Sequence, residues 1–458
     1  MYLLYSLLLL TALVLSLPWW LARMLIAGKY RAGIGERLGR IPRRLLRTQN
    51  KRCIWIHAVS VGEVLAVGGL IAELRANFSE YRLVISTTTA AGQKLARERH
   101  GEANVFYFPL DFGFAVRPYL RALRPELVIL AETEFWPNFL RLVKQSGAKI
   151  AVVNARISDR SLPGYRRWRG LLRRVLANVD LFLTQSEEDK RRLSEIGAPP
   201  ERVEVSGNLK FDIKIPGSSP IVEQLRNRIA PGAAILICGS TVEGEEFALW
   251  GAFQVVLREF PDALMILAPR HPERFEAVAT LAESFGAGMP QRSRLVGDMP
   301  KINFWRRSQL PANAALRGGV LLLDSIGELA AIYELATIAF VGGSLVPRGG
   351  HNILEPAYFG KPILVGPHTE NFRDIIKIFV QAKALRVVRA FREGEQKGDL
   401  GATLLELLNN PAEREQLGRR ARAVIQAHRG ATSRTMNAIR ILVQGDAASE
   451  VAAERMRP

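Results

Sequence analysis

Residues 339–367 read AFVGGSLVPRGGHNILEPAYFGKPILVGP. An apolar run ends in Gly342-Gly343, a second glycine pair follows at Gly349-Gly350, a short helix-forming stretch comes next, and the apolar run PILVGP (362–367) closes the segment. Strand, glycine-rich loop, helix and strand together form the unit from which parallel sheets are built. The apolar runs are continuous and do not alternate, as expected of strands buried on both faces. Glycine at the strand–helix turn tolerates positive φ and lets a ligand approach the backbone.

The same alternation extends upstream. AILICGS (234–240), ALMILAPR (263–270), GVLLLDS (319–325) and IAFVGGS (338–344) read as strands of one sheet. IWIHAV (54–59), RLVISTT (82–88), NVFYFP (104–109), LVILAE (127–132), KIAVVNA (149–155), LFLTQS (181–186) and VEVSGN (203–208) read as strands of another. Helix-length amphipathic stretches separate them, which predicts an α/β chain with doubly wound sheets. A chain of 458 residues also exceeds the about 250–300 at which one core stops growing. The expected organisation is an N-terminal helix at 1–27, a Rossmann-like domain at 28–213, a linker at 214–232 and a second Rossmann-like domain at 233–410. Terminal helices at 411–445 are expected to pack back on the first domain. In such sheets ligands bind at the carboxyl ends of strands, so the two domains are expected to face each other across a cleft that holds the ligand.

Lys and Arg number 63 against 44 Asp and Glu, a formal charge of +19. Nucleic acid, an anionic membrane surface and an acidic substrate all suit that balance. No zinc-finger, homeodomain or RRM signature is present, which counts against nucleic acid. Cys53 and Cys238 form neither a disulfide framework nor a metal spacing.

Residues 1–22, MYLLYSLLLLTALVLSLPWWLA, carry no charge. About 20 apolar residues suffice to cross a bilayer core as a helix. Trp19 and Trp20 suit the interface, and Arg23, Lys29, Arg31, Arg37, Arg40, Arg43, Arg44, Arg47, Lys51 and Arg52 follow. This basic flank belongs on the cytoplasmic side, which predicts a single N-terminal anchor in the inner membrane with the domains on the cytoplasmic face. A helix lying flat in one leaflet is the alternative, because Pro18 can bend it and Arg23 limits its depth.

Candidate site residues fall just after strands. Ser60-Val-Gly-Glu63 has the spacing of a capping box, and Glu63 is also placed to act as a general base. Glu132 and Glu134 follow an apolar strand, where carboxylates need solvent or a partner. Lys210 follows the turn residues Gly207-Asn208 at the domain boundary. Gly239-Ser240-Thr241 suits an anion-cradling turn. Arg270, between Pro269 and His271-Pro272, can bind a phosphate through its fork. Asn352-x-x-Glu355 and Ser325-x-x-Glu328 repeat the capping spacing, and a carboxylate beside a phosphate also suits the two hydroxyls of a ribose. These features point to a nucleotide-sugar transferase. No serine-triad signature, no H-E-x-x-H and no metal-spaced Cys/His cluster is present.

AVSVGE (58–63), ETEFWP (132–137), NARIS (154–158), GNLKFD (207–212), EGEE (243–246), PRHPERF (269–275), GEL (327–329), FVGGSL (340–345) and GGHNILEP (349–356) occur in this order. Together they resemble the 3-deoxy-D-manno-octulosonic acid (Kdo) transferases of lipopolysaccharide assembly, from the anchor to about residue 375. The resemblance implies a GT-B fold, a CMP-Kdo donor and a lipid A precursor acceptor. It also implies inverting transfer that needs neither metal nor cofactor. It implies that Glu63 is the proton acceptor and that Glu132 and Lys210 stabilise the transition state. The implied CMP contacts are Pro269, Arg270, Ile326, Gly327, Glu328, Asn352, Ile353, Leu354 and Glu355. Members often carry His in an S-T-H-E-G-E-E segment where this chain has Val242. The alternatives are another GT-B lipid glycosyltransferase, a UDP-sugar epimerase, or a non-catalytic protein, either a basic membrane-bound scaffold or a nucleic-acid binder.

Overall fold

The computed structural model describes residues 1–26, 32–46, 52–213, 219–286, 302–311, 313–389 and 399–455. Residue 27, residues 214–218 of the expected linker, and Lys29, Arg31, Arg47 and Lys51 of the basic flank lie outside the described residues. The chain divides into two compact units, Met1–Asp212 with His428–Pro458, and Ile213–Ala427.

The first unit holds seven parallel strands: β1 (Arg52–His57), β2 (Tyr81–Thr87), β3 (Val105–Tyr107), β4 (Pro125–Ala131), β5 (Lys149–Ala155), β6 (Leu181–Thr184) and β7 (Val203–Val205). Their order is β3-β2-β1-β4-β5-β6-β7. The chain reverses its direction of travel between β1 and β4, which are neighbours. Residues within each strand alternate between two buried layers. Cys53 and Trp55 of β1 join a layer with Phe106 and Phe139, and Ile54 and Ile56 join the opposite layer with Val64 and Leu70. The Trp55 indole N–H donates to Ser86 Oγ at 2.7 Å, so its polar edge is satisfied in the core.

The second unit holds β8 (Ile235–Thr241), β9 (Leu264–Pro269), β10 (Asn303–Arg306), β11 (Gly319–Leu322), β12 (Ile338–Val341), β13 (Ile363–Val365) and β14 (Arg386–Val387). Their order is β10-β11-β9-β8-β12-β13-β14, again all parallel, with the reversal between β8 and β12. The edge strands β10 and β14 are absent from the expected set. They are four and two residues long and partly exposed, so they carry no continuous apolar run.

Two expected boundaries are corrected. Residues 219–232 are not a free linker: helix Pro220–Arg226 buries Ile221, Val222 and Leu225 against the second sheet, and Ile229 bridges to Leu316. The terminal helices, expected to pack back on the first domain, divide between the two units. Helix Pro411–His428 sets Leu417 into the second unit's core. Its Gly418 lies so close to Gly360 that a Cβ would stand 2.0 Å from the Gly360 carbonyl. Helix Ala431–Arg455 instead buries Ala431, Met436 and Ile439 in the first unit.

A remote cap fixes the start of that last helix. Asp212 accepts the backbone N–H groups of Gly430 (2.7 Å) and Thr432 (2.5 Å), which the helix cannot satisfy itself. Phe211 stacks on His428 beside it, with ring centroids 4.7 Å apart. Replacing a capping carboxylate by alanine costs about 0.5–2 kcal/mol. Asp212→Ala should therefore lower the stability of the first unit by about that amount in urea titrations, and Asp212→Asn, which keeps an acceptor, by less.

Candidate active site

The Rossmann order places β1 and β4 side by side at the reversal point, and the loops that leave their carboxyl ends carry the first cluster. After β1, helix Val61–Ala66 opens at Ser60. Glu63 Oε1 accepts Ser60 Oγ at 2.9 Å, and Oε2 accepts the Val59 N–H at 2.8 Å. Ser60 Oγ also caps the helix by accepting the Glu63 N–H, but Glu63 returns its bond to Val59, one residue before the cap, so the box closes in altered form and clamps the carboxylate in one orientation. Glu63 is 9 % exposed. Burial pushes its carboxyl up to about 7; the Val59 and Ser60 hydrogen bonds oppose that shift, and the nearby Glu132 and Glu134 charges add to it.

After β4, Glu132 adopts a left-handed conformation with φ 57°. Its carboxylate lies between two cations, Lys210 Nζ at 3.6 Å and Arg156 Nε at 3.4 Å. Asn154, at the end of the adjacent β5, is also left-handed with φ 55°. Its Oδ1 accepts the Leu209 N–H at 3.0 Å and so holds the loop that carries Lys210. Left-handed non-glycine residues cost free energy and persist only where their surroundings enforce them. Gly207 turns that loop at φ 93°, and a Cβ there would meet Arg434 Nη2 at 2.8 Å. Arg434, from the last helix, donates to the Ser206 carbonyl at 2.8 Å. Glu63, Glu132 and Lys210 therefore form one cluster, joined by Arg156, which sequence reasoning missed.

The second unit places the remaining candidates at the carboxyl ends of its strands. Pro269 ends β9, and the Arg270 N–H continues the ladder to the Thr241 carbonyl at 2.9 Å. The Arg270 side chain is exposed, and its charge acts on both His351 and Glu355. Asn352 Nδ2 donates to Glu355 Oε1 at 3.2 Å, and Asn352 Oδ1 accepts the Leu354 N–H at 3.1 Å. Burial raises the Glu355 carboxyl above the usual range, against Asn352 and Arg270. The helix is only Leu354–Tyr358, with Ile353 at its cap position. A five-residue helix supplies little dipole, so Arg270, not the helix end, is the main positive element here. Ile353 and Leu354 are buried and set the loop's position.

Ile326, Gly327 and Glu328 form a separate cluster. Gly327 has φ 91° and Ile326 is 78 % exposed. Glu328 accepts Ser325 Oγ and is paired with Arg307 Nη2 at 3.1 Å. The Ser325–Glu328 spacing thus makes a side-chain pair and not a capping box, because Glu328 itself precedes helix Leu329–Ile332.

The expected anion cradle at Gly239-Ser240-Thr241 is corrected. β8 runs on through Thr241, with Ser240 left-handed at φ 58°. The free backbone amides after β12 are already taken. Glu245 is fully buried and accepts the N–H groups of Val242 (3.0 Å), Gly343 (2.7 Å), Ser344 (2.9 Å) and Leu345 (2.9 Å). A nest of amides that could hold a ligand anion holds the protein's own carboxylate. Val242 is buried beside it.

His351 was also missed, although it precedes Asn352 in the glycine-rich loop. Its ring lies 2.7 Å from the point where a Gly343 Cβ would stand. Burial, then the charges of Arg270 and His271, push it down to about 4, so the imidazole is neutral near pH 7.

Residues 32–213 match the family described as 3-deoxy-D-manno-octulosonic-acid transferase (kdotransferase). The chain is 32% identical over 391 residues to a 3-deoxy-D-manno-octulosonic acid transferase of Haemophilus influenzae, covering 84% of this chain and 86% of that one. It is 35% identical over 395 residues to its counterpart in Bordetella pertussis, with the same coverages of 84% and 86%. UDP-GlcNAc 2-epimerase from Neisseria meningitidis superposes with a TM-score of 0.53 at 12% identity, over 84% of this chain and 100% of that one. That likeness is one of fold, and the two Rossmann-like units are of the GT-B type.

Four amide donors depend on Glu245, and each buried donor left unpaired costs about 1–3 kcal/mol. Glu245→Ala should therefore destabilise the second unit by about 3 kcal/mol or more in thermal or denaturant unfolding. Glu245→Gln, which keeps one carbonyl oxygen, should cost less.

Proposed function

We propose that this chain, which belongs to the 3-deoxy-D-manno-octulosonic acid transferases and is a glycosyltransferase, moves Kdo from CMP-Kdo to a lipid A precursor of the lipid IVA type. The transfer inverts the anomeric centre, needs no metal ion, and serves lipopolysaccharide core biosynthesis at the cytoplasmic face of the inner membrane. The observation that carries this reading is the buried Glu63, clamped by Ser60 and Val59 and poised near neutral pH, beside the Glu132–Lys210 pair.

In this mechanism Glu63 takes the proton from a sugar hydroxyl of the acceptor. The hydroxyl oxygen then bonds to the anomeric carbon of Kdo, and the bond from that carbon to the CMP phosphate oxygen breaks. The departing phosphate keeps the electron pair. A base matched to the working pH is the most effective one. Lys210 and Glu132 stabilise the charge that develops in the transition state. In the second unit Arg270 offers its guanidinium to the phosphate, and Glu355 and Glu328 offer carboxylates to hydroxyls of the nucleotide. Asn352 fixes Glu355, and Pro269, Ile326, Gly327, Ile353 and Leu354 shape the backbone around the nucleotide.

The apolar helix fits a membrane attachment. Tyr2–Trp20 has a mean hydropathy of 1.8, and although Tyr2, Tyr5 and Ser6 are half-buried, none of its residues is fully buried. A chain of charge +19 suits an anionic surface and a phosphorylated lipid.

The test is an assay with CMP-Kdo and a tetra-acylated lipid A precursor, with the product mass measured and CMP and UDP compared as inhibitors. CMP should protect the enzyme and compete. Competition by UDP alone would sink the donor assignment. The base must be ionised, so kcat/KM should fall about tenfold per pH unit below about 7. Glu63→Gln should lower kcat by about 100-fold or more while leaving the affinity for CMP unchanged.

A further inference from the structure

The first unit holds the N-terminal helix, Tyr2–Ile26, at its beginning. The Tyr5 phenol hydrogen-bonds the buried Asp111 carboxylate. Asn138, also buried, donates Nδ2 to Ser6 Oγ at 2.9 Å. Asn178 donates to Tyr2 Oη at 3.4 Å, and the Arg141 guanidinium stacks 4.4 Å from the centre of the Tyr2 ring. Asp111, Asn138 and Arg141 all belong to the fold: Asp111 caps helix Pro137–Gln145 by accepting the Asn138 and Phe139 N–H groups.

The chain then returns to the same place. Seven residues, 27–33, separate Ile26 from the next helix, Ile34–Arg37. There Glu36 accepts the Tyr107 N–H at 2.7 Å, and the Arg37 carbonyl accepts the Leu110 N–H at 2.8 Å. Leu110 and Asp111 are consecutive, so the chain leaves and rejoins the unit at one loop.

This closure is incompatible with a single crossing. The helix is about 37 Å long at 1.5 Å per residue, and the hydrocarbon core is about 30 Å thick. With its start on the domain side, a crossing helix would end on the far side. Seven extended residues reach about 25 Å at most. They include Lys29 and Arg31, and charged side chains are costly in the hydrocarbon core. With its start on the far side, Tyr2, Tyr5 and Ser6 would leave the unit, and buried Asp111 and Asn138 would lose those partners, at a cost.

Resting on the membrane attachment proposed above, we propose that this helix does not span. It lies in one leaflet, with its N-terminus on the same face as the catalytic units. Leu3, Leu4, Leu7, Leu8, Val14 and Leu15 are exposed from the protein and meet the acyl chains. At the other end Arg23 lies over Trp19, 4.7 Å from the ring centre, an interfacial pairing.

A second element fits the same surface. Helix Arg169–Leu176 packs on Pro137–Gln145, the helix that receives Tyr2 and Ser6. It presents Trp168, 63 % exposed, and Leu171 together with Arg169, Arg173 and Arg174. An aromatic and a leucine among arginines suit the headgroup layer of an anionic leaflet.

Cys53 and Cys238 are buried, so a new cysteine can be labelled against a low background. Two full-length variants are needed, one with Cys-Gly-Gly inserted between Met1 and Tyr2, the other Glu201→Cys on an exposed turn of the first unit. Each is treated with a membrane-impermeant maleimide on spheroplasts and on inside-out inner-membrane vesicles. Both cysteines should react on the vesicles and neither on spheroplasts. An N-terminal cysteine that reacts only after detergent also bears the proposal out, because a spanning helix would place it in water. Reaction of that cysteine on spheroplasts, with Cys at 201 reacting only on vesicles, overturns the in-plane helix and leaves the membrane reading intact. A protein recovered wholly in the soluble fraction overturns both.

Discussion

Parallel pairing is the constraint from which the site follows. In a parallel sheet every strand must point the same way, so every chain leaves from the same edge. In each of the two sheets that edge collects seven strand ends. Where the winding reverses, between β1 and β4 and again between β8 and β12, the departing loops diverge and leave an opening. Glu63 and Glu132 follow the first pair of strands; in the second pair Ser240 lies in the last residues of β8, and the glycine-rich loop follows β12. Among the described residues, the left-handed Glu132 and Ser240 sit at these strand ends, and the left-handed Asn154 at the end of the adjacent β5. Strain thus gathers where the sheet frees the backbone.

Opening the sheet edge brings a cost, because carboxylates there are partly removed from water. The fold meets that cost differently at each position. Glu245 is consumed by four amides and serves structure alone. Glu132 is neutralised by Lys210 and Arg156. Glu328 is engaged by Arg307 and Ser325. Glu63 receives only local donors and has two other carboxylates as neighbours. Burial and these neighbours hold its carboxyl up at about 7, which sets it apart from the ion-paired carboxylates and is what the proposed base requires.

How much of this was legible follows from the range of each interaction. Continuous apolar runs revealed β1 to β6 of the first sheet, because burial is written into consecutive residues, while the half-exposed edge strand β7 was read from Val203-Glu204-Val205 and the turn residues Gly207-Asn208 after it. Edge strands β10 and β14 were hidden, since half-exposed strands carry no such run. The Ser60–Glu63 box was readable because its partners lie three residues apart. Three of the four amides that Glu245 satisfies lie about a hundred residues away, and Asp212 caps a helix 218 residues on. No spacing rule reports such pairs, so Gly239-Ser240-Thr241 read as an anion cradle and the role of Glu245 went unseen. Arg156 and His351 stood beside recognised residues and were passed over because nothing in their local pattern sets them apart.

The Glu132–Lys210 pair shows why position in the sheet matters more than the residues themselves. Lys210 lies on a short 3-10 turn, Leu209–Phe211, which has almost no rigidity of its own. It is fixed from three directions: Asn154 holds Leu209, Asn208 accepts the Lys210 N–H, and Arg434 holds the Ser206 carbonyl. The last of these comes from the chain's final helix, itself started by Asp212 two residues after Lys210. The loop that places the cation also caps the helix that braces the loop. Loosening either end shifts the ammonium relative to Glu132, and the transition-state role proposed for this pair depends on such preorganisation more than on the charge alone.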